Sequence, residues 1–182
     1  RLSGRLPRET TLIERLHEKF NFAFSVSATT RARTAKETEG VDYFFLDEAT
    51  FKQWVQEDRF LEYAQVFNKD WYGTPREPVQ KQLNAGRIVV LDIDVQGAEQ
   101  VRRHMPDAFA VFVLPPSEEI LHKRLIDRKR EPLELIERRF AHAQKEIAAA
   151  TATGQTTYDA HIVNDDLDAA YGTLKAICVP AA

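Results

Sequence analysis

Apolar residues along the chain alternate between two spacings, and the switches between them mark the expected elements. Leu12, Ile13, Leu16 and Phe20 recur at helical intervals and predict an amphipathic helix. Phe22, Phe24 and Val26 then alternate as in a strand, and a polar stretch follows before the aromatic run from Tyr43 to Phe45 predicts the next strand. Phe51, Trp54 and Val55 lie on one helical face, the run 60–67 (F-L-E-Y-A-Q-V-F) is strand-like, and Thr74-Pro75 reads as a helix N-cap and first turn. The segment 86–94 (G-R-I-V-V-L-D-I-D) predicts one continuous strand ending in two carboxylates, with a helix from about Gln96 to His104. A buried strand is expected in the segment 108–117 (A-F-A-V-F-V-L-P-P-S), and Ser117 with Glu118 and Glu119 marks a helix start. The final elements are a charge-rich helical stretch reaching Ala150, a strand over 160–165 (A-H-I-V-N-D) and a helix carrying Leu167, Tyr171, Leu174 and Ile177. Strands alternating with helices in this way predict an α/β three-layer fold with a mostly parallel sheet, interrupted over about 30–86 by a small, mainly β insertion.

Length and composition narrow this picture. A chain of 182 residues with 43% hydrophobic content suits one well-buried domain. A net charge of −3 and a pI near 6.0 provide no basic field for duplex nucleic acid, but still admit a small anionic ligand. The single cysteine, Cys178, excludes an internal disulfide, and the five histidines lack metal-ligand spacing; both suit a reducing cytoplasm. No apolar run approaches the ~20 residues of a membrane span, and no secretory h-region is evident, so a cytoplasmic location without membrane partners is expected. Oligomeric state is not legible in the sequence.

Four stretches carry candidate chemistry. The first is the polar turn with Ser27, Thr29, Thr30, Arg31 and Arg33, returning to Tyr43. Guanidinium forks and short hydroxyls hold a phosphate well, because charge-assisted hydrogen bonds are roughly twice as strong as neutral ones; a solvated loop is the alternative. In the second, Glu62 interrupts an apolar strand. An ionised carboxylate accepts two hydrogen bonds and so matches the N1–H and 2-amino donors of guanine, unless it is a solvent-facing strand residue. Third, Asp92 and Asp94 fall on one face at the carboxyl end of a strand, where open parallel sheets bind ligands, or else they cap the helix that follows. The last is the segment from Lys123 to Arg139, dense in arginine, which on its composition alone reads as a solvated helix face.

The wording of these stretches, S-V-S-A-T-T-R, G-V-D-Y-F-F, Phe60-Leu61-Glu62-Tyr63-Ala64, W-Y-G-T-P-R, D-I-D-V-Q-G and V-N-D-D, resembles the guanylate kinases over roughly Thr10 to Ile177. The resemblance implies a P-loop-kinase-like fold and phosphoryl transfer from ATP to GMP with Mg2+. It also implies a single domain, with its core at about 1–29 and 87–182, a GMP-binding insertion at about 30–86 and a helical lid at about 124–140. GMP would meet Ser27, Arg31, Arg33, Tyr43, Glu62, Tyr72, Thr74, Asp92 and Asp94. ATP would meet Thr10, Thr11, Arg124, Arg128 and Asn164, the metal would meet Thr10, Asp92 and Asp94 through water, and Arg31, Arg124, Arg128 and Arg139 would serve catalysis.

The chain departs from the family pattern in two places. A P-loop needs G-x-x-x-x-G-K-[ST], yet aligned on Thr10 and Thr11 its glycine positions hold Ser3 and Arg8 and its lysine position holds Glu9. The second phosphate arginine of the family falls on Thr34, with Arg33 one residue early. A broken P-loop also suits a guanylate-kinase-like module that binds proteins without catalysis, and that alternative stays open here.

Overall fold

The computed structural model describes residues 22–66, 69–127 and 132–178, which fall into two compact units, 22–108 and 109–178. In chain order the first unit contains β1 (Ala23–Phe24), β2 (Ser27–Thr29), β3 (Tyr43–Phe45), α1 (Glu48–Gln56), β4 (Phe60–Val66), β5 (Asp70–Pro75), α2 (Arg76–Asn84), β6 (Val89–Val90) and α3 (Val95–His104). The second contains β7 (Val111–Leu114), α4 (Glu118–Asp127), α5 (Leu133–Ala150), β8 (Ala160–Val163) and α6 (Leu167–Cys178). β1 pairs in parallel with β6 and β7 with β8, while a four-stranded sheet runs in the order β3-β2-β5-β4. Within that sheet β2 is parallel to β3, and β5 is antiparallel to both β2 and β4.

The alternation at Phe22, Phe24 and Val26 does not make one strand. The chain leaves the β1–β6 pair after Phe24 and enters the four-stranded sheet at Ser27, so β1 is only two residues long. Its partner β6 is correspondingly short, and the strand expected to run through Asp94 ends at Val90. Asp94 is instead the N-cap of α3, with extended backbone and a side chain accepting from the Gly97 amide, and the helix begins at Val95. Thr74 likewise caps nothing. It is the penultimate residue of β5, and α2 starts after Pro75 without a side-chain cap. Ser117 does act at a helix start, its hydroxyl accepting from the Ile120 amide at 3.3 Å.

Period-two alternation sorts the four-stranded sheet into two faces. Ala28, Phe44 and Trp71 point into an aromatic core with Phe51 of α1 and Phe60, and Phe51 stacks on Phe60 at 4.5 Å between centroids. A register slip between Phe60 and Glu62 lets Phe60 join this core while Glu62 keeps the opposite face. Leu61, the residue taken up by the slip, packs with Val79 of α2 and Val101 of α3 in a second cluster. In the other unit Leu121 and Leu125 of α4 pack against Ile136 and Ala143 of α5. Phe51 is fully buried; Phe51→Ala is expected to cost about 3–5 kcal/mol, read as a lower urea midpoint.

Candidate nucleotide site

On the face opposite the aromatic core, the registers line up a set of polar side chains. Ser27 lies opposite Tyr43, Thr29 opposite Tyr72, and Glu62 opposite Thr74, so all six project to the same side of the sheet. Two ends can be distinguished on this face. Hydroxyls and a guanidinium gather at one, and a buried carboxylate lies at the other.

The first end is built on the turn after β2. Thr29 donates to the Trp71 carbonyl at 3.0 Å and accepts from the Arg31 amide at 3.1 Å, and Thr30 accepts from the Trp71 amide at 2.9 Å. The turn is thereby fastened to β5 before Arg31 leaves it. The Arg31 guanidinium lies 5.5 Å from the Tyr43 ring centroid and 5.8 Å from that of Phe45, and the Tyr43 and Tyr72 rings meet edge to face at 6.1 Å. Its fork is held by Glu37 at 2.5 and 3.1 Å. This charge-assisted pair raises the Arg31 pKa above its ordinary value and holds the Glu37 carboxyl at about 2, with help from Thr34. Thr34 donates to the Glu37 carboxylate through both its amide and its hydroxyl, each at 2.8 Å. Arg33 is exposed, its guanidinium donating to the Glu37 backbone carbonyl at 3.4 Å.

Glu37 was not singled out by the sequence; its only signal is an acidic residue six positions after an arginine in a basic turn. Because its folded pKa lies below the ordinary carboxylate value of about 4.3, the stability it supplies is complete above that value and is lost as pH falls toward about 2. Glu37→Gln is therefore expected to be less stable than the parent by a constant margin above pH 5. That margin should shrink as pH is lowered through 4 and 3, measured as the difference between the two urea midpoints; a margin independent of pH would remove the ion pair from this account.

At the second end, Glu62 is 4% exposed and accepts a hydrogen bond from the hydroxyl of the fully buried Thr74. The N-terminal turn of α3 closes over it. A Cβ on Gly97 would lie 2.9 Å from Glu62 Oε2, 3.2 Å from Ile93 Cβ and 3.3 Å from Asp94 Oδ1. Glu62 and Asp94 thus converge on Gly97, where any side chain would have to displace the Glu62 carboxylate. Asp92, partly buried, lies two residues before this cap. Among the described residues no three His, Cys, Asp or Glu side chains cluster as a complete metal cage.

In the second unit Arg124 donates to the Asn164 backbone carbonyl at 2.9 Å, bringing these two together. Asn164 is 2% exposed, and neither side-chain amide atom has a hydrogen-bond partner among the described residues. Arg139 on α5 is 5% exposed. Thr10, Thr11 and Arg128 lie outside the described residues, as does the whole altered P-loop.

Comparison with known proteins covers nearly all of the chain. A family model described as guanylate kinase matches residues 1–179. A guanylate kinase of Legionella pneumophila strain Paris is 43% identical over 172 residues, covering 94% of this chain and 79% of the relative. One from Synechococcus sp. strain CC9311 is 45% identical over 166 residues, covering 91% of this chain and 84% of that protein. The crystal structure of guanylate kinase from Anaplasma phagocytophilum is similar with a TM-score of 0.70 at 32% identity, covering 92% of this chain and 78% of that one.

Proposed function

The chain belongs to the guanylate kinase family, and we propose that it transfers the terminal phosphoryl group of ATP to GMP. A GMP phosphate oxygen forms the new bond to the γ-phosphorus as the bond to the ADP oxygen breaks, giving GDP and ADP. The observation that carries this reading is the buried Glu62 carboxylate, held by Thr74, on the same sheet face as Ser27, Tyr43 and Tyr72. One face then offers an acceptor suited to guanine and, further along, donors suited to a phosphate.

In this proposal GMP is held by Ser27, Arg31, Tyr43, Tyr72, Glu62 and Thr74, with Arg33 at the margin and Asp92 and Asp94 nearby. ATP is assigned to Thr10, Thr11, Arg124, Arg128 and Asn164, and Arg31, Arg124, Arg128 and Arg139 to the charge of the transferring phosphoryl group. Phosphoryl transfer is largely positioning and charge neutralisation, which suits an arginine-rich set. Mg2+ commonly takes one or two carboxylates with the remaining positions filled by water and phosphate. Asp92 and Asp94, with Thr10, offer hard oxygens of that kind; Asp94 Oδ1 already accepts from the Gly97 amide, which fits contact through water. Bound there, the ion would supply charge neutralisation between the phosphates.

One functional domain, with the insertion at about 30–86 and the lid at about 124–140, and a cytoplasmic location belong to the same proposal. No helix of the described residues is long and apolar enough to cross a membrane. A second reading, a non-catalytic protein-binding module, is favoured by Glu9 in the position of the P-loop lysine. An enzyme-linked ADP-release assay with ATP and GMP separates the two. Turnover with GMP and not with AMP is expected, and GMP binding without turnover at millimolar substrate would establish the second reading.

A further inference from the structure

We propose that Gln100 and His104 are positioning residues for guanine recognition, clamping the backbone on both sides of Glu62; this rests on the GMP reading above. Among the described residues β4 is the outer strand of its sheet, with β5 as its only strand neighbour. The register slip between Phe60 and Glu62 interrupts even that ladder at the residue before Glu62. A carboxylate on such a strand is poorly fixed by the sheet alone, because a bulge leaves the local backbone short of pairing and an outer edge exposes its amide and carbonyl.

α3 supplies the missing edge. Gly97, Gln100 and His104 follow one stripe of the helix at spacings of three and four, and that stripe faces β4. Gln100 Oε1 accepts from the Tyr63 amide at 3.1 Å, and its Nε2 donates to the Tyr63 carbonyl at 2.9 Å. One carboxamide therefore meets both edge groups of one residue, as a neighbouring strand would. His104 Nδ1 lies 2.9 Å from the Leu61 carbonyl, a partner that only accepts, so this nitrogen carries the proton. Leu61 and Tyr63 flank Glu62, so the helix fixes the peptide units before and after the base-reading side chain. Glu62 itself is confined between Thr74 and Gly97. Sub-ångström placement is what an acceptor serving two fixed donors requires.

Calorimetric titration of the full chain with GMP and with IMP tests this. IMP shares the sugar, phosphate and N1–H of GMP but lacks the 2-amino donor. Gln100→Met keeps the side-chain length and helix propensity while removing both hydrogen bonds. It is expected to weaken GMP about tenfold, the order of one charge-assisted contact, and to reduce the preference for GMP over IMP by about threefold or more, with thermal unfolding little changed. Gln100→Glu, which sets a carboxylate against the Tyr63 carbonyl, should weaken GMP at least as much. Equal loss for GMP and IMP, or no loss, overturns the positioning role while leaving the GMP reading intact. An unmodified chain that fails to bind GMP overturns both. Should Gln100→Met not fold, amide hydrogen exchange of the unmodified chain decides the matter: a protected Tyr63 amide supports the clamp, and a freely exchanging one overturns it.

Discussion

Glu62→Gln is expected to weaken GMP binding by about two orders of magnitude and to gain little for AMP. The ionised carboxylate is an acceptor at both oxygens, so it can serve the N1–H and 2-amino donors of guanine together. Glutamine keeps the shape but sets an NH2 group against one of those donors. Adenine offers a bare N1 lone pair and a C2–H, which would leave a carboxylate that is 4% exposed without its partners. An unmet buried charge costs more than a missing neutral bond, and sites built to hydrogen-bond a substrate commonly reject analogues that lack the groups by 10⁴–10⁵, so discrimination of about 10³ or better is expected for the unmodified chain. Thr74 should not rescue AMP, because its hydroxyl is already donating to Glu62. Calorimetry with both nucleotides and both proteins decides the matter. Equal affinity for GMP and AMP, or GMP binding indifferent to Glu62→Gln, would leave only a phosphate site on this sheet face.

The elements that follow a simple period were legible in the sequence. The aromatic strand at Tyr43, the helix of Phe51, the strand through Glu62 and the helix ending at His104 all stand where spacing put them. The failures share one cause, which is that periodicity does not report where the pairing partner ends. Phe22, Phe24 and Val26 alternate as one strand, yet the chain changes sheets between them. Because β1 is short, β6 is short as well, and Asp94 passes from strand end to helix cap. Nor could local pattern reveal the slip at Leu61, since three successive buried residues in a strand contradict alternation; they are reconciled only by two separate cores on either side. The pairing of Arg31 with Glu37 closes a turn whose geometry propensity does not encode. Gln100 looked like an ordinary polar helix position, because its partners are backbone groups 37 residues away.

Gly97→Ala carries the other large expected effect, a loss of GMP affinity of about 10²-fold in a chain that still folds. Alanine is the better helix former by roughly 1 kcal/mol, so α3 itself gains from the change. The new methyl would nevertheless lie 2.9 Å from Glu62 Oε2, too close to stand, and 3.2 Å from Ile93 Cβ, tighter than most such contacts. Ile93 belongs to the packed cluster around Leu61 and yields little. Glu62 is then the group that moves, breaking its geometry with Thr74 and displacing both acceptor oxygens. Misplacement of that order is commonly worth about 10²-fold when two bonds must form together. Overpacking should cost stability by about 1–3 kcal/mol, partly offset by the helix gain. The two effects are separable, because affinity should fall far more than the unfolding midpoint. Thermal unfolding beside GMP calorimetry checks this, and a Gly97→Ala chain that binds GMP as tightly as the parent would show that the Glu62 carboxylate has room the present geometry denies it.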